Sequence, residues 1–468
     1  MVSSECAPLA KTGGLADVVG ALPAALQNLG DQVAVVIPRY GAIDLKTARR
    51  VWDNATVFLG PARFDVAIYQ APEEFPLYLV DCPPLYDRAG FYGESGLDYP
   101  DNHIRFAVFA RAALTVARFL FPADIIHCHD WQSGLVPVYL KTTFSSDPTY
   151  IGARTLFTIH NLGYQGLFPI RALAETGINP ALFSPAGLEF FGKVSYLKAG
   201  IVFGDSINTV SPTYAREIQT PEYGFGLDGV LRSRADVLYG ILNGVDYREW
   251  SPENDPLVPA RYSASDLSGK RICKEQLLSE FDLPPAAMDA PLIGVVSRFT
   301  VQKGIDLIAE VAGNIVDAGM YLIAQGSGEP EYEDLFASVA ARYPGQIAVR
   351  TGYDNARAHR IEAGADIFLM PSQYEPCGLN QMYSLKYGTV PVVRATGGLN
   401  DTIEEATGFK FLEYSASALW AALEAAGTAF SDRAAWEAMM SRGMEQDFSW
   451  SRSAREYSAL YRQLRGLG

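Results

Sequence analysis

Cysteine, histidine and positive charge are all scarce in this chain. Its five cysteines, Cys6, Cys82, Cys128, Cys273 and Cys377, are odd in number and scattered, with no C-x-x-C pair. That spacing excludes a disulfide framework or a zinc site and points to a reducing compartment, with the cytoplasm as the expected location. Lys and Arg total 38 against 53 Asp and Glu, a formal charge of −15. Such an excess repels polyphosphate backbones, so nucleic acid is not an expected partner and any phosphate ligand must be small and held locally. Long apolar runs are missing too. The best stretch, FAVFARAALTVARFLF, is interrupted by Arg111 and Arg118 and falls short of the ~20 apolar residues of a membrane span. It reads as an amphipathic helix, so no membrane partner is expected. The amino terminus lacks a basic region followed by an apolar core, and no targeting segment is expected.

What the chain does contain is a regular alternation of short β-branched runs with helical patterns. QVAVVIP, ADIIHCHD, TLFTIHN and SINTVS lie in the first half, and APLIGVVS, MYLIAQG, QIAVRTG, ADIFLMPS and TVPVVRA in the second. Runs that short and continuous suit parallel strands covered on both faces. Two such series predict an α/β protein of two doubly wound domains. At ~150 residues per domain the length also allows three. Turn and loop chemistry near Asn243 sets the boundary, giving domains at 1–242 and 243–448, and residues 449–468 form an amphipathic helix with Tyr457, Leu460, Tyr461 and Leu464 on one face.

Two segments in opposite halves place charge and glycine where a strand hands over to a helix. In KTGGLADVVG, apolar spacing through Val18, Val19, Leu22 and Leu26 starts a helix near Gly13. Glycines there leave backbone N–H groups close to an anion, and Lys11 adds mobile positive charge. A glycine-rich turn with a solvated lysine is the other reading. In EPCGLNQMYSLKYG, Glu375 follows the buried run ADIFLMPS, at the carboxyl edge of a parallel sheet where ligands bind. A carboxylate stabilised by the following helix start explains it equally well.

Further polar groups stand at strand ends. SRFTVQKG places Arg298 and Lys303 five residues apart, so that both reach a diphosphate, the guanidinium bidentately and the ammonium as a point charge. HCHDWQSG places His127, His129 and Asp130 after one strand, and TIHNLGYQG places His160 and Asn161 after another. Two histidines at i, i+2 with no third ligand argue against a metal. His127 and His129 read as structural, whereas Asp130 and His160 can converge on one cleft. No D-x-D triplet that would chelate an ion against a diphosphate is present. Neither metal nor cofactor is therefore expected.

KTGGLADVVG, HCHDWQSGLVP, TIHNLGYQG, NTVSPTYAREI, ILNGVD, SRFTVQKGIDLI, PSQYEPCGLNQ and VVRATGGLNDTI occur in order over nearly the whole chain. Together they resemble the bacterial glycogen synthase and plant starch synthase family. The resemblance implies the GT-B architecture, two Rossmann-like domains facing a cleft, and a retaining glycosyltransferase that elongates α-1,4-glucan. The implied partners are ADP-glucose, with UDP-glucose the alternative donor, and a glycogen or maltooligosaccharide acceptor.

It also implies roles. Lys11, with Gly13 and Gly14, matches the loop that binds the nucleotide sugar, and Arg298 and Lys303 match the pair that neutralises the leaving diphosphate. Glu375 matches the carboxylate near the donor glucose. Cys377, Gly378 and Leu379 match the segment around its sugar and phosphate, and His160 and Asn161 match groups at the sugar hydroxyls. Asp130 and Trp131 match the acceptor-side loop. Asp17, Asn243, Tyr353, Thr396, Gly397 and Gly398 match further donor positions, and Tyr92 an acceptor position. With no second strand-end carboxylate to pair with Glu375, same-face attack is the expected route to retention.

The chain departs from related patterns in places. Tyr383 stands eight residues after Glu375, where many retaining transferases of this architecture carry a second glutamate, and Asp354 stands where some relatives have histidine. Three other classes compete: a sucrose- or trehalose-type transferase, separated by its acceptor; a dehydrogenase, disfavoured because KTGGLADVVG is not G-x-G-x-x-G; and a silent glucan-binding protein, opposed by the presence of Lys11, Arg298, Lys303 and Glu375.

Overall fold

The β-branched runs become strands in both halves of the chain. The computed structural model describes residues 1–94 and 96–466. Two units result: Met1–Val210, Ala215–Gly244 and the segment from Trp450 onward form the first, and Ser211–Tyr214 with Val245–Ser449 the second. Asn243 thus belongs to the first unit, and the four residues Ser211–Tyr214 group with the second although their chain neighbours do not.

In the first unit, Leu238–Gly240, Ser206–Thr209, Arg154–Ile159 and Ile125–His129 lie side by side, all parallel. A second set runs Val35–Pro38, Leu77–Asp81, Ala62–Ala71, Arg49–Leu59. Val2 joins the two, bridging Val36 on one side and Cys128 on the other. Only the Val35–Pro38 and Leu77–Asp81 pair of the second set is parallel; Arg49–Leu59 and Ala62–Ala71 form an antiparallel hairpin. A purely parallel reading misses this hairpin because Arg49–Leu59 is exposed or half-buried along most of its length and so lacks a continuous apolar run.

The second unit is a six-stranded parallel sheet in the order Ile347–Thr351, Tyr321–Gly326, Leu292–Val296, Ile367–Met370, Val390–Arg394, Phe409–Phe411. Ile293, Val295, Leu322, Ile367, Leu369 and Val392 fill its core with the apolar stripe of the helix Ile305–Asp317. Parallel order sends every strand's carboxyl end to one edge, which is where Arg298 and Glu375 emerge. Among the described residues, no helix is long and apolar enough to cross a membrane.

The helix Trp450–Leu464 returns to the first unit. Ala454, Tyr457 and Leu460 pack with Val18, Leu22 and Leu26 of the helix Gly14–Gln27. Asn208 Nδ2 donates to the Tyr457 hydroxyl at 3.1 Å, and the Tyr461 hydroxyl meets His127 Nδ1 at 2.7 Å. Removing the fully buried Tyr457 ring should therefore cost stability on the scale of an aromatic core deletion. Tyr457→Ala is expected to lose about 3–5 kcal/mol, and Tyr457→Phe about 1 kcal/mol for the lost hydrogen bond. Urea denaturation of both variants measures this, and a wild-type midpoint for Tyr457→Ala would contradict the docking of the last helix.

Candidate functional site

In the second unit the polar groups gather around the loop after Ile367–Met370. The turn Val301–Lys303 ends at Gly304, whose φ of +72° and position over the Pro371 carbonyl leave no room for a side chain; a Cβ would lie 2.3 Å from that oxygen. Glycine here lets Lys303 run alongside the loop. Its Nζ reaches Glu375 Oε2 at 2.6 Å, and the Ser372 hydroxyl donates to the same oxygen at 3.0 Å. Gln302 ties the loops together: its carbonyl accepts from Gln373 N at 2.8 Å, and its side-chain nitrogen donates to the Tyr374 carbonyl at 3.2 Å. Arg298 donates to Gln302 Oε1 at 3.3 Å.

The turn Thr396–Gly398 closes on the other side. Gly397, with φ +45°, sits so near the Glu375 carbonyl that a Cβ would fall 1.8 Å from it, and the Gly398 N–H donates to the same carbonyl at 3.2 Å. Cys377 is buried, and Gln381 Nε2 donates to the carbonyls of Cys377 and Gly378, which precede Leu379. Two cations and a carboxylate thus stand at one sheet edge, on loops held together by backbone contacts and by Gln302. Tyr353 stands apart, after a strand two places from Leu292–Val296, largely exposed, its hydroxyl donating to Asn355 Oδ1 at 2.8 Å.

In the first unit, Gly13 precedes the helix Gly14–Gln27, and Lys11 Nζ pairs with Asp17 Oδ1 at 2.6 Å. Burial pushes the Asp17 carboxyl up, while the Lys11 ammonium works against it. A residue that the sequence reading passed over anchors this loop. The buried Glu5 accepts from Thr12 N at 2.6 Å, from the Thr12 hydroxyl at 2.5 Å and from the Tyr92 hydroxyl at 2.5 Å. It thereby joins the Lys11 loop to Tyr92, whose ring lies 6.4 Å from that of Trp131. The one signal for Glu5 in the sequence is an acid within an otherwise small and apolar first segment.

Asp130 and His160 do meet. Asp130 has φ +54°, and its Oδ1 accepts from the His160 N–H at 2.7 Å. His160 Nε2 and His129 Nδ1 are 3.0 Å apart. Asn161 Oδ1 accepts from Gly163 N, closing the turn behind them. Asn243 is buried in the first unit, just before its boundary at Gly244. Among the described residues, no cluster of three or more metal-ligating side chains occurs.

Burial sets the protonation of this corner. It pushes the Asp130 carboxyl up to about 7 and the His160 imidazole down to about 3, and it holds His127 and His129 well below 6.5. A histidine whose folded pKa is depressed contributes its full stability above the unfolded value and loses it as pH falls. Asp130 runs the other way, losing stability as pH rises from the ordinary carboxylate range to about 7. Three histidines against one carboxyl leave a net loss on acidification below 6.5, each unbalanced proton worth about 1.4 kcal/mol per pH unit. Across pH 6.5 to 5 this corner's contribution to the unfolding free energy is expected to fall, and His127→Asn to make the measured slope shallower, because it removes one group that takes up a proton on unfolding. Urea titrations across this range test it, and equal slopes in the two proteins would contradict the neutral, buried state of His127.

Comparison with known proteins agrees with this architecture. Residues 1–233 match the starch synthase catalytic domain, and residues 280–436 match the glycosyl transferases group 1. The glycogen synthase of Koribacter versatilis (strain Ellin345) is 49% identical over 98% of this chain and 96% of its own, and that of Myxococcus xanthus (strain DK1622) 48% over 99% and 98%. Among solved structures, the catalytic domain of Starch Synthase IV from Arabidopsis thaliana, bound to ADP and acarbose, aligns with a TM-score of 0.91 at 32% identity, over 99% of this chain and 98% of that one. With two α/β units of the GT-B type and relatives matched nearly end to end, the chain belongs to the glycogen and starch synthase family of glycosyltransferases.

Proposed function

We propose that this protein elongates an α-1,4-glucan, transferring glucose from ADP-glucose to the 4-hydroxyl at a non-reducing end with retention of configuration. The observation that carries the site assignment is the set of Lys303, Arg298 and Glu375 around one rigid loop at the carboxyl edge of a parallel sheet. When a nucleoside diphosphate departs, negative charge grows on its oxygens, and fixed cations stabilise that growth without reorganising. Lys303 and Arg298 are the cations in this reading, and Glu375 supplies the carboxylate facing the positive charge that develops on the sugar. The Thr396–Gly398 turn and the Cys377–Leu379 segment frame the donor. We assign the second unit to the nucleotide sugar and the first, through Asp130, Trp131 and Tyr92, to the acceptor. Lys11, paired with Asp17 and next to Thr12, which Glu5 binds, is assigned to nucleotide-sugar binding in this reading. The Arabidopsis relative's bound ADP and acarbose support a nucleotide donor and a glucan acceptor. Five buried free thiols fit a reducing compartment, and we place the enzyme in the cytoplasm.

Incubating the protein with glycogen and either ADP-glucose or UDP-glucose, while following diphosphate release and chain growth, tests the activity. ADP-glucose is expected to be the better donor; no chain growth with either sugar would overturn the reading. At saturating donor, Lys303→Ala and Arg298→Ala should each lower kcat by about a hundredfold or more, near 3 kcal/mol. Near-normal turnover in either would remove that residue from leaving-group stabilisation.

A further inference from the structure

Three histidine rings stand in a row in the first unit. The ring centroids of His127 and His129 are 4.1 Å apart, and those of His129 and His160 5.2 Å. All three rings are neutral near pH 7, because burial holds His127 and His129 well below 6.5 and brings His160 down to about 3. A neutral imidazole carries one N–H and one bare nitrogen, and the surrounding hydrogen bonds set which is which. At His127 they leave no choice. The Thr158 hydroxyl donates its single proton to Asn208 Oδ1, and the amide is oriented by Nδ2, which donates to the Thr209 carbonyl at 3.4 Å and to the Tyr457 hydroxyl at 3.1 Å. Thr158 Oγ1 therefore accepts from His127 Nε2 at 2.5 Å, and His127 Nδ1 accepts from the Tyr461 hydroxyl at 2.7 Å. Both His127 nitrogens are thus engaged away from His129.

His129 is fully buried, and its backbone is held on both sides: its N–H donates to the Val2 carbonyl at 3.0 Å, and its carbonyl accepts from the Ser133 hydroxyl at 2.8 Å. Its Nδ1 lies 3.0 Å from His160 Nε2, whereas its Nε2 is sealed in the interior with no partner among the described residues. A proton on that Nε2 would be a buried donor without an acceptor, the rarer and costlier kind of orphan. A proton on Nδ1 has His160 Nε2 to donate to. His160 then keeps its own proton on Nδ1. That atom has no hydrogen-bond partner among the described residues and, in contrast to His129 Nε2, reaches solvent, His160 being only half-buried.

We propose that His129 is a positioning residue for glucosyl transfer: it donates from Nδ1 to His160 Nε2 and so makes His160 present an Nδ1–H to an oxygen of the sugar. This rests on the role at the sugar hydroxyls that the family resemblance gives His160. A ring held in this tautomer donates to a hydroxyl oxygen. With both tautomers reversed it would offer a lone pair, and the hydroxyl would have to spend its one proton there. The same hydrogen bond accounts for a polar ring with an orphaned nitrogen at a place that an aliphatic side chain would fill at lower cost.

The chain has only five histidines, which makes the tautomers readable by nuclear magnetic resonance. In protein labelled with nitrogen-15 in its imidazole rings, long-range proton–nitrogen spectra at neutral pH report which nitrogen of each ring is protonated, and the signals that vanish in His160→Gln belong to His160. Wild type should show His160 protonated at Nδ1 and bare at Nε2. In His129→Leu, which has no donor, that preference should be lost, and kcat/KM for the sugar nucleotide should fall about tenfold, the worth of one hydrogen bond. His129→Asn brings an amide N–H near the place of Nδ1 and should restore both, which a purely space-filling role does not predict. A wild-type His160 protonated at Nε2 would overturn the inference whatever the activity, and needs no folded variant to be seen. Wild-type kcat/KM in His129→Leu would overturn it as well. No chain growth by the wild type with either nucleotide sugar would instead remove the proposed function, while a proton on His160 Nδ1 would still uphold the hydrogen bond from His129.

Discussion

Lys303 and Glu375 lie 2.6 Å apart in a nearly buried setting, and the second unit's site is arranged around keeping them so. Taking two charges from water is costly, and the pair is tolerated only with good geometry and further hydrogen bonds. Backbone supplies the geometry. Gly304 lets the Lys303 turn lie against Pro371, and Gly397 lets the next turn lie against Glu375's own carbonyl. Ser372 adds the further hydrogen bond. A carboxylate and an ammonium placed by main-chain contact do not need to reorganise when charge develops on a substrate, which is the condition under which electrostatic stabilisation is largest.

The first unit treats charge in the opposite way. His127 and His129 are buried without a carboxylate partner and stay neutral, and Asp130 carries a raised pKa because the N–H groups around it only partly replace water. Glu5 spends its oxygens on hydrogen bonds from Thr12 and Tyr92. The second unit therefore carries a fixed ion pair at its sheet edge, and the first carries fixed hydrogen-bonding groups and rings.

Sequence reasoning reached the parts of this arrangement that have a local signature. Continuous apolar runs such as Leu292–Val296 and Ile367–Met370 mark buried parallel strands, and the polar residues that follow them, Arg298, Lys303 and Glu375, stand at the sheet edge as a consequence. The hairpin Arg49–Leu59 and Ala62–Ala71 gave no such run, because much of it faces water. Glu5 escaped notice because its partners lie 7 and 87 residues away, and nothing in SSEC reports them. The left-handed backbone of Phe191 and Phe225 escaped for another reason: residue type alone argues against it.

If Lys303 and Glu375 act as one fixed unit, their substitutions must be non-additive. A double-mutant cycle on kcat with Lys303→Ala, Glu375→Ala and the double variant measures this most directly. The account predicts that the double variant is no slower than the slower single. Losses that multiply across the two sites would show independent residues and contradict it.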